Sequence, residues 1–218
     1  MSEIITAGIA YDSPKGCVIK TTRPAVEHLS DEVRVFWSDN RCISAEQRRK
    51  AWALMTEIAA YQGQDKEDVY REQSAAFSIK NFESLQGHLF HLSTATVSEA
   101  RDFINLLIEI IIEYGIPTKE PLYGLCDDLA RYTYACLMNK KCAVCGRKTE
   151  LHHVDHVSMG YNRKEINHIG MRCLPLCREH HMEAHSIGQT AFDAKYHLEP
   201  IAIDEKIAQK YRLRGTEA

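Results

Sequence analysis

Two short spacings of cysteine and histidine, with 31 residues between them, occupy the C-terminal third of the chain. The first, Cys142-Ala-Val-Cys145-Gly146, sets two thiols three positions apart on a turn that Gly146 can close, the form of a knuckle that grips one ion. The second, Cys177-Arg-Glu-His180, repeats the spacing with an imidazole in the last place. Cys142, Cys145, Cys177 and His180 fill four tetrahedral positions with soft and borderline donors, a set that selects structural Zn2+. Cys173 is a substitute ligand by proximity, but its four-residue offset from Cys177 suits a strand position better.

A second group of imidazoles is left over by that zinc. His152 and His153 follow Leu151 at the end of what reads as a short strand, and Met171–Leu176 reads as a strand returning beside it. His181 and His185 are four apart, so a short helix carries them on one face. The order strand, loop, strand, helix gathers His152, His181 and His185 around a second ion. Adjacent histidines then divide the labour: His152 binds, and His153 stays free to accept a proton near neutral pH. Three imidazoles without a carboxylate favour Zn2+, Ni2+ or Mn2+ over Mg2+. A second register stays open, in which Asp155 is a ligand and His156 the base, and that set admits Mg2+. Asn162 and Asn167 stand in the intervening loop, while His168 and His197 read as ordinary surface histidines.

The elements that must hold these groups are legible by period. Asp12-Ser13-Pro14-Lys15-Gly16 is a turn cluster between apolar runs and predicts a hairpin, and Asp31–Asn40 alternates with period two. Ser44 with Gln47 is a capping box that starts a helix bearing Trp52, Met55, Ile58 and Ala59 on one face. Asp65–Phe77 is a weaker helix, and Thr96 with Glu99 caps a strongly apolar one that Gly115 and Pro117 end after Tyr114. A third clear helix is expected over about Leu122–Asn139, and a short one over Asp204–Tyr211. The expected fold is α+β, in two parts: a mixed domain of small sheet and helices over 1–140, then a zinc-stapled ββα module with a helical tail over 141–218.

Composition narrows the class. A hydrophobic content of 44% and a charged content of 26% describe a chain able to bury a real core. Phe103–Ile112, the most apolar run, is too short to cross a bilayer, and no basic-then-apolar signal segment opens the chain, so the expectation is a cytoplasmic protein with no membrane partner. In a reducing compartment, clustered Cys and His mean metal and not disulfide. The sequence holds no polybasic nucleic-acid arm and its net charge is −3, so contact with phosphates must come from a local patch or a metal and not from the global field. The candidates are Arg48, Arg49 and Lys50 on the Ser44 helix, and Arg163, Lys164, Arg172 and Arg178 near the histidines.

Lys141–Gly188 resembles the HNH (ββα-metal) nuclease family in its knuckles, paired histidines, intervening asparagine, Leu176-Cys-Arg-Glu-His-His181 run and trailing His185. The resemblance implies that His153 is the general base, that Asn167 (or, in the alternative, Asn162) orients it, and that one divalent ion on His152, His181 and His185 binds the scissile phosphate and stabilises the leaving 3′ oxygen. Residues 1–140 resemble phage recombination mediators of the NinB/Orf type, on the amphipathic runs Ser44–Met55 and Val97–Pro117. That second resemblance implies a phage or prophage protein in a bacterial host cell that binds single-stranded or branched DNA as a homodimer. It also implies work beside a single-strand-binding protein and a phage annealing protein. The expected function is metal-dependent phosphodiester hydrolysis in DNA processing; the alternative is a non-enzymatic mediator whose HNH module no longer cuts. No major-groove reading unit is present to suggest a sequence-specific endonuclease.

Overall fold

The structure, a computed structural model, describes residues 7–13 and 16–21 as backbone, and 41–83, 85, 87–155 and 167–214 with their side chains. Asp31–Asn40, His156, Asn162, Arg163 and Lys164 lie outside the described residues. The hairpin expected around Asp12–Gly16 is β1 (Ala7–Ser13) paired antiparallel with β2 (Gly16–Thr21).

Both capping boxes form. Ser44 Oγ accepts from Gln47 N at 3.0 Å and Gln47 Oε1 accepts from Ser44 N at 3.2 Å, opening α1 (Ala45–Gln62). After α2 (Lys66–Lys80), Thr96 and Glu99 repeat the exchange at 3.2 and 2.8 Å at the start of α3 (Val97–Tyr114). Each cap satisfies amide hydrogens that a helix leaves unpaired, a contribution of about 0.5–2 kcal/mol. Gly115 closes α3 in the left-handed conformation at φ 65°, where a Cβ is strained. α3 buries Ala100, Phe103, Ile104, Asn105, Leu107, Ile108, Ile111 and Ile112 and packs on α1, α2 and α4, so it is the central helix of this half.

The helix expected over Leu122–Asn139 is shorter. A single 3-10 turn, Leu122–Gly124, comes first, and α4 (Leu129–Met138) begins only where Asp128 accepts from Arg131 N at 2.9 Å. Asp128 competes for the backbone as a cap and so restarts the helix that Gly124 weakens.

The second half is built on a three-stranded antiparallel sheet in the order β3-β4-β5. β3 (Glu150–His153) pairs with β4 (Arg172–Leu176), which also pairs with β5 (Ile201–Ala202), a strand with no sequence signal. Four of the five β4 residues are buried because both its faces are covered. Leu174 and Leu176 join the main core, while Cys173 faces Leu137, Ile203 and Ile207 in a smaller one. Helices α5 (Arg178–Ile187), α6 (Gln189–Tyr196) and α7 (Glu205–Tyr211) complete the chain, the last capped by Asp204, whose Oδ1 accepts from Ile207 N at 2.7 Å. The main core runs from α1 and α3 through Tyr132 and Cys136 to Leu174, Ala184 and Phe192. The described residues thus form an α+β fold of seven α-helices and two small sheets.

Candidate metal centres

The Cys142 knuckle is a tight backbone loop. Gly146 N donates to Cys142 O at 2.8 Å and Cys142 N to Arg147 O at 2.7 Å, with Gly146 at φ 68°. Ala143 N donates to Pro175 O at 2.9 Å, which docks the loop against β4. Cys177 caps α5 and His180 lies one turn inside it, so both face the knuckle. Cys142 Sγ is 3.5 Å from His180 Nδ1, Cys177 Sγ is 3.2 Å from the same nitrogen, and Cys145 Sγ is 3.7 Å from Cys177 Sγ. All four donor atoms lie within 4.8 Å of one another, a spacing that fits a single tetrahedral Zn2+. Burial pushes the Cys142 thiol up to about 12. Burial pushes Cys145 up as well, but hydrogen bonds from the Arg147 side chain and backbone outweigh it and hold that thiol below its ordinary value. Arg147 reaches Cys145 Sγ at 3.3 Å and Cys177 Sγ at 3.7 Å, and is itself forked onto Glu179. It is a counter-charge for the thiolates that no Cys or His spacing reveals.

The histidine group sits where β3 meets α5. Directly opposed residues of an antiparallel pair share a face, so His152, opposite Leu174, faces α5. His153, opposite Cys173, faces the other side. The ring of His152 is 4.5 Å from that of His181 and 5.1 Å from that of His185, and the latter two are 4.9 Å apart. One nitrogen of each lies within 4.8 Å of the others. His152 is 3% exposed, and among the described residues its Nδ1 has no hydrogen-bond partner. A buried ring nitrogen without a partner is destabilising; in the tautomer that leaves a lone pair there a cation can take it, and the donor set suits that cation. Burial lowers the affinity of His152 and His181 for protons, and the imidazoles beside each lower it further. Burial, with crowding behind it, thus favours the neutral form of His152 and His181, the state that binds metal. Glu150 Oε2 stands 3.7 Å from His181 Nδ1, beyond hydrogen-bond range.

The remaining predicted residues fall in three groups. His153 is half-buried, with its Nε2 2.9 Å from His168 Nδ1; burial, then the His168 ring, keep it below the ordinary imidazole value. His168, which reads as a surface histidine, is therefore a partner of the expected base. Asn167 Oδ1 accepts from Ile169 N at 3.0 Å and shapes the turn that delivers His168. Asp155 stands outside the histidine group: Arg172 donates Nε and Nη2 to its Oδ1 at 2.9 and 2.7 Å, and Arg172 N donates to its Oδ2 at 2.6 Å. Those bonds hold the Asp155 carboxyl below its usual value. Both oxygens are engaged, and among the described residues Asp155 is not grouped with the three imidazoles.

Of the cations, Arg48, Arg49 and Arg178 are exposed. Lys50 is not a free cation: its Nζ is 3.0 Å from Asp127 Oδ1 and 3.3 Å from Glu46 Oε1, and its side chain is 17% exposed. Its side chain ties α1 to the turn before α4.

A ββα unit that gathers three thiols with one imidazole, and beside them a separate trio of imidazoles, is the architecture of a ββα-metal protein. The family described as "Putative HNHc nuclease" matches residues 18–214, and the chain belongs to that family of HNH nucleases. The match extends far beyond the Cys/His segment, into the helices that precede it. The chain matches no curated protein and no solved structure. A nuclease family implies DNA as substrate, and no helix among the described residues is long and apolar enough to cross a membrane.

Proposed function

We propose that this chain is a metal-dependent DNA endonuclease whose catalytic ion is held by His152, His181 and His185, with Zn2+ on Cys142, Cys145, Cys177 and His180 as the clamp that fixes their geometry. The observation that carries the reading is the trio of imidazoles itself: one ring nitrogen each of His152, His181 and His185 lies within 4.8 Å of the others, and the His152 ring has a buried Nδ1 without a hydrogen-bond partner. Once bound there, a divalent ion supplies positive charge to the phosphodiester and to the departing 3′ oxygen. His153, on the other face of β3, takes the proton of the attacking water, and its lowered proton affinity supports this by keeping it neutral near pH 7. His168 holds the base ring in place and Asn167 shapes the turn that carries it. Zn2+, Ni2+ and Mn2+ suit the three imidazoles; Mg2+ belongs to the Asp155 and His156 register.

Residues 1–140 form the part that recruits DNA in this reading, and 141–218 the part that cuts. The NinB/Orf likeness of α1 and α3, with Arg48 and Arg49 exposed on α1, supports a single-stranded or branched substrate. It also supports a homodimeric phage protein that works beside a single-strand-binding protein and a phage annealing protein. The test is purified protein on single-stranded, duplex and branched DNA with Mg2+, Mn2+, Ni2+ and Zn2+ compared. Nicking of single-stranded or branched substrate with Ni2+ or Mn2+ is expected. Tight binding with no cleavage under any metal would instead indicate a mediator that no longer cuts.

A further inference from the structure

Gln189 and Asp193 belong to no Cys or His motif, yet they close the buried side of the histidine centre. Gln189 opens α6 directly after Gly188, and Asp193 follows one turn later on the same face. The Gln189 amide oxygen lies 2.9 Å from His152 Nε2, and its amide nitrogen donates to Asp193 Oδ1 at 2.6 Å. At the other end of this chain of contacts is the His152 Nδ1 that has no partner.

We propose that Gln189 and Asp193 are positioning residues that fix the tautomer of His152, so that Nδ1 is bare and faces the divalent ion shared with His181 and His185. The proposal rests on reading that histidine group as a metal centre. Its logic is directional. An ionised carboxylate only accepts hydrogen bonds, so Asp193 takes the amide N–H and turns the amide oxygen toward His152. That oxygen also only accepts, so His152 Nε2 must carry the hydrogen, and a neutral imidazole then has its lone pair on Nδ1. The reversed amide would set its oxygen against the carboxylate and its NH2 against His152, moving the ring hydrogen to Nδ1 and removing a ligand. Outer partners of this kind orient metal-binding imidazoles in general. Here the direct partner is a neutral amide with the carboxylate one link back, so the three ligands stay uncharged and the bound ion keeps its full charge for the phosphodiester.

The experiment uses the full-length, zinc-loaded chain. Calorimetric Ni2+ titration is run on wild type, Gln189→Leu, the pair Gln189→Glu with Asp193→Asn, and His185→Ala. Long-range 15N spectra at pH 8 give the His152 tautomer before Ni2+ is added. The expected results are hydrogen on Nε2 in wild type and a loss of about 10- to 100-fold in Ni2+ affinity for Gln189→Leu, with zinc content and melting unchanged. The double variant keeps an acceptor on His152 and a donor at position 193, and it regains most of that loss. Wild-type affinity in Gln189→Leu, or hydrogen on Nδ1 in wild type, overturns the inference; the tautomer readout needs no variant to fold. Undiminished Ni2+ binding by His185→Ala would instead sink the metal-centre reading. Loss in His185→Ala without loss in Gln189→Leu would sink only the positioning role.

Discussion

Replacing His153 by Ala removes the proposed base while leaving the metal ligands in place. Its ring meets His168 through one hydrogen bond, from a half-buried position on the β3 face away from His152. Losing that bond costs about 0.5–1.5 kcal/mol, and exchanging His for Ala in a strand adds at most about 1 kcal/mol. For a chain of this length that is a fall in melting temperature of about 1–10 °C, so the protein stays folded at assay temperature. A positioned general base is worth roughly 10²- to 10⁴-fold, which is about 3–5 kcal/mol in the barrier. The assay is the initial rate of nicking of single-stranded circles and branched junctions at saturating Ni2+ or Mn2+, with Ni2+ binding measured alongside. His153→Ala is expected to bind Ni2+ like wild type and to lose at least a hundredfold in rate, an order-of-magnitude floor. A variant nicking within about threefold of wild type would refute the assignment, because no general base contributes so little. His156→Ala would then be the variant to examine.

The wild-type rate should also fall on the acid side. The base must be neutral and its proton affinity is held below the ordinary 6.5, so activity is full above that pH and is lost as the pH drops through the shifted value. Zinc binding has the same sign: the Cys142 thiol, pushed up to about 12, must give up its proton, so chelator competition should show zinc affinity rising with pH from 6 to 8 at about tenfold per unit per displaced proton. Cys142→Ser should abolish zinc retention and open the knuckle and α5 to limited proteolysis while α1–α3 stay protected, since a structural zinc site is folding free energy. Asp155→Asn breaks the Arg172 fork at a partly exposed pair and should change stability by under about 1 kcal/mol with Ni2+ affinity unchanged; a large loss of Ni2+ binding would restore Asp155 as a ligand. Lys50→Ala should leave DNA affinity unaltered, while the pair Arg48→Ala and Arg49→Ala should reduce the salt slope of single-strand binding by roughly 1–2, as filter binding against salt would read.

Where signals were local, they survived into the structure. The Ser44 and Thr96 boxes, the Gly115 stop and both Cys pairs each depend on residues a few positions apart, and each appears at its expected place. The convergence of His152 with His181 and His185 followed from period and order alone, because an i,i+4 pair on a helix after a returning strand has few ways to sit. What stayed hidden depends on tertiary return. His168 meets His153 only because the Asn167 turn and the β3–β4 register bring it back. Gln189 and Asp193 lie on a helix whose angle to β3 no periodicity reveals, and nothing near Lys50 in the sequence shows its pairing with Asp127, 77 positions away. The Leu122–Asn139 prediction overran because apolar spacing outvoted Asp128, a residue equally able to sit on a helix surface or to begin one.

The most direct test is X-ray absorption at both metal edges on protein carrying one Zn2+ and one Ni2+ per chain. Zinc with three sulfurs and one nitrogen, and nickel with imidazole nitrogen and oxygen but no sulfur, is the expected pair of spectra. Sulfur around nickel, or a single site that both ions compete for, would contradict two separate centres in one short segment and the nuclease chemistry built on them.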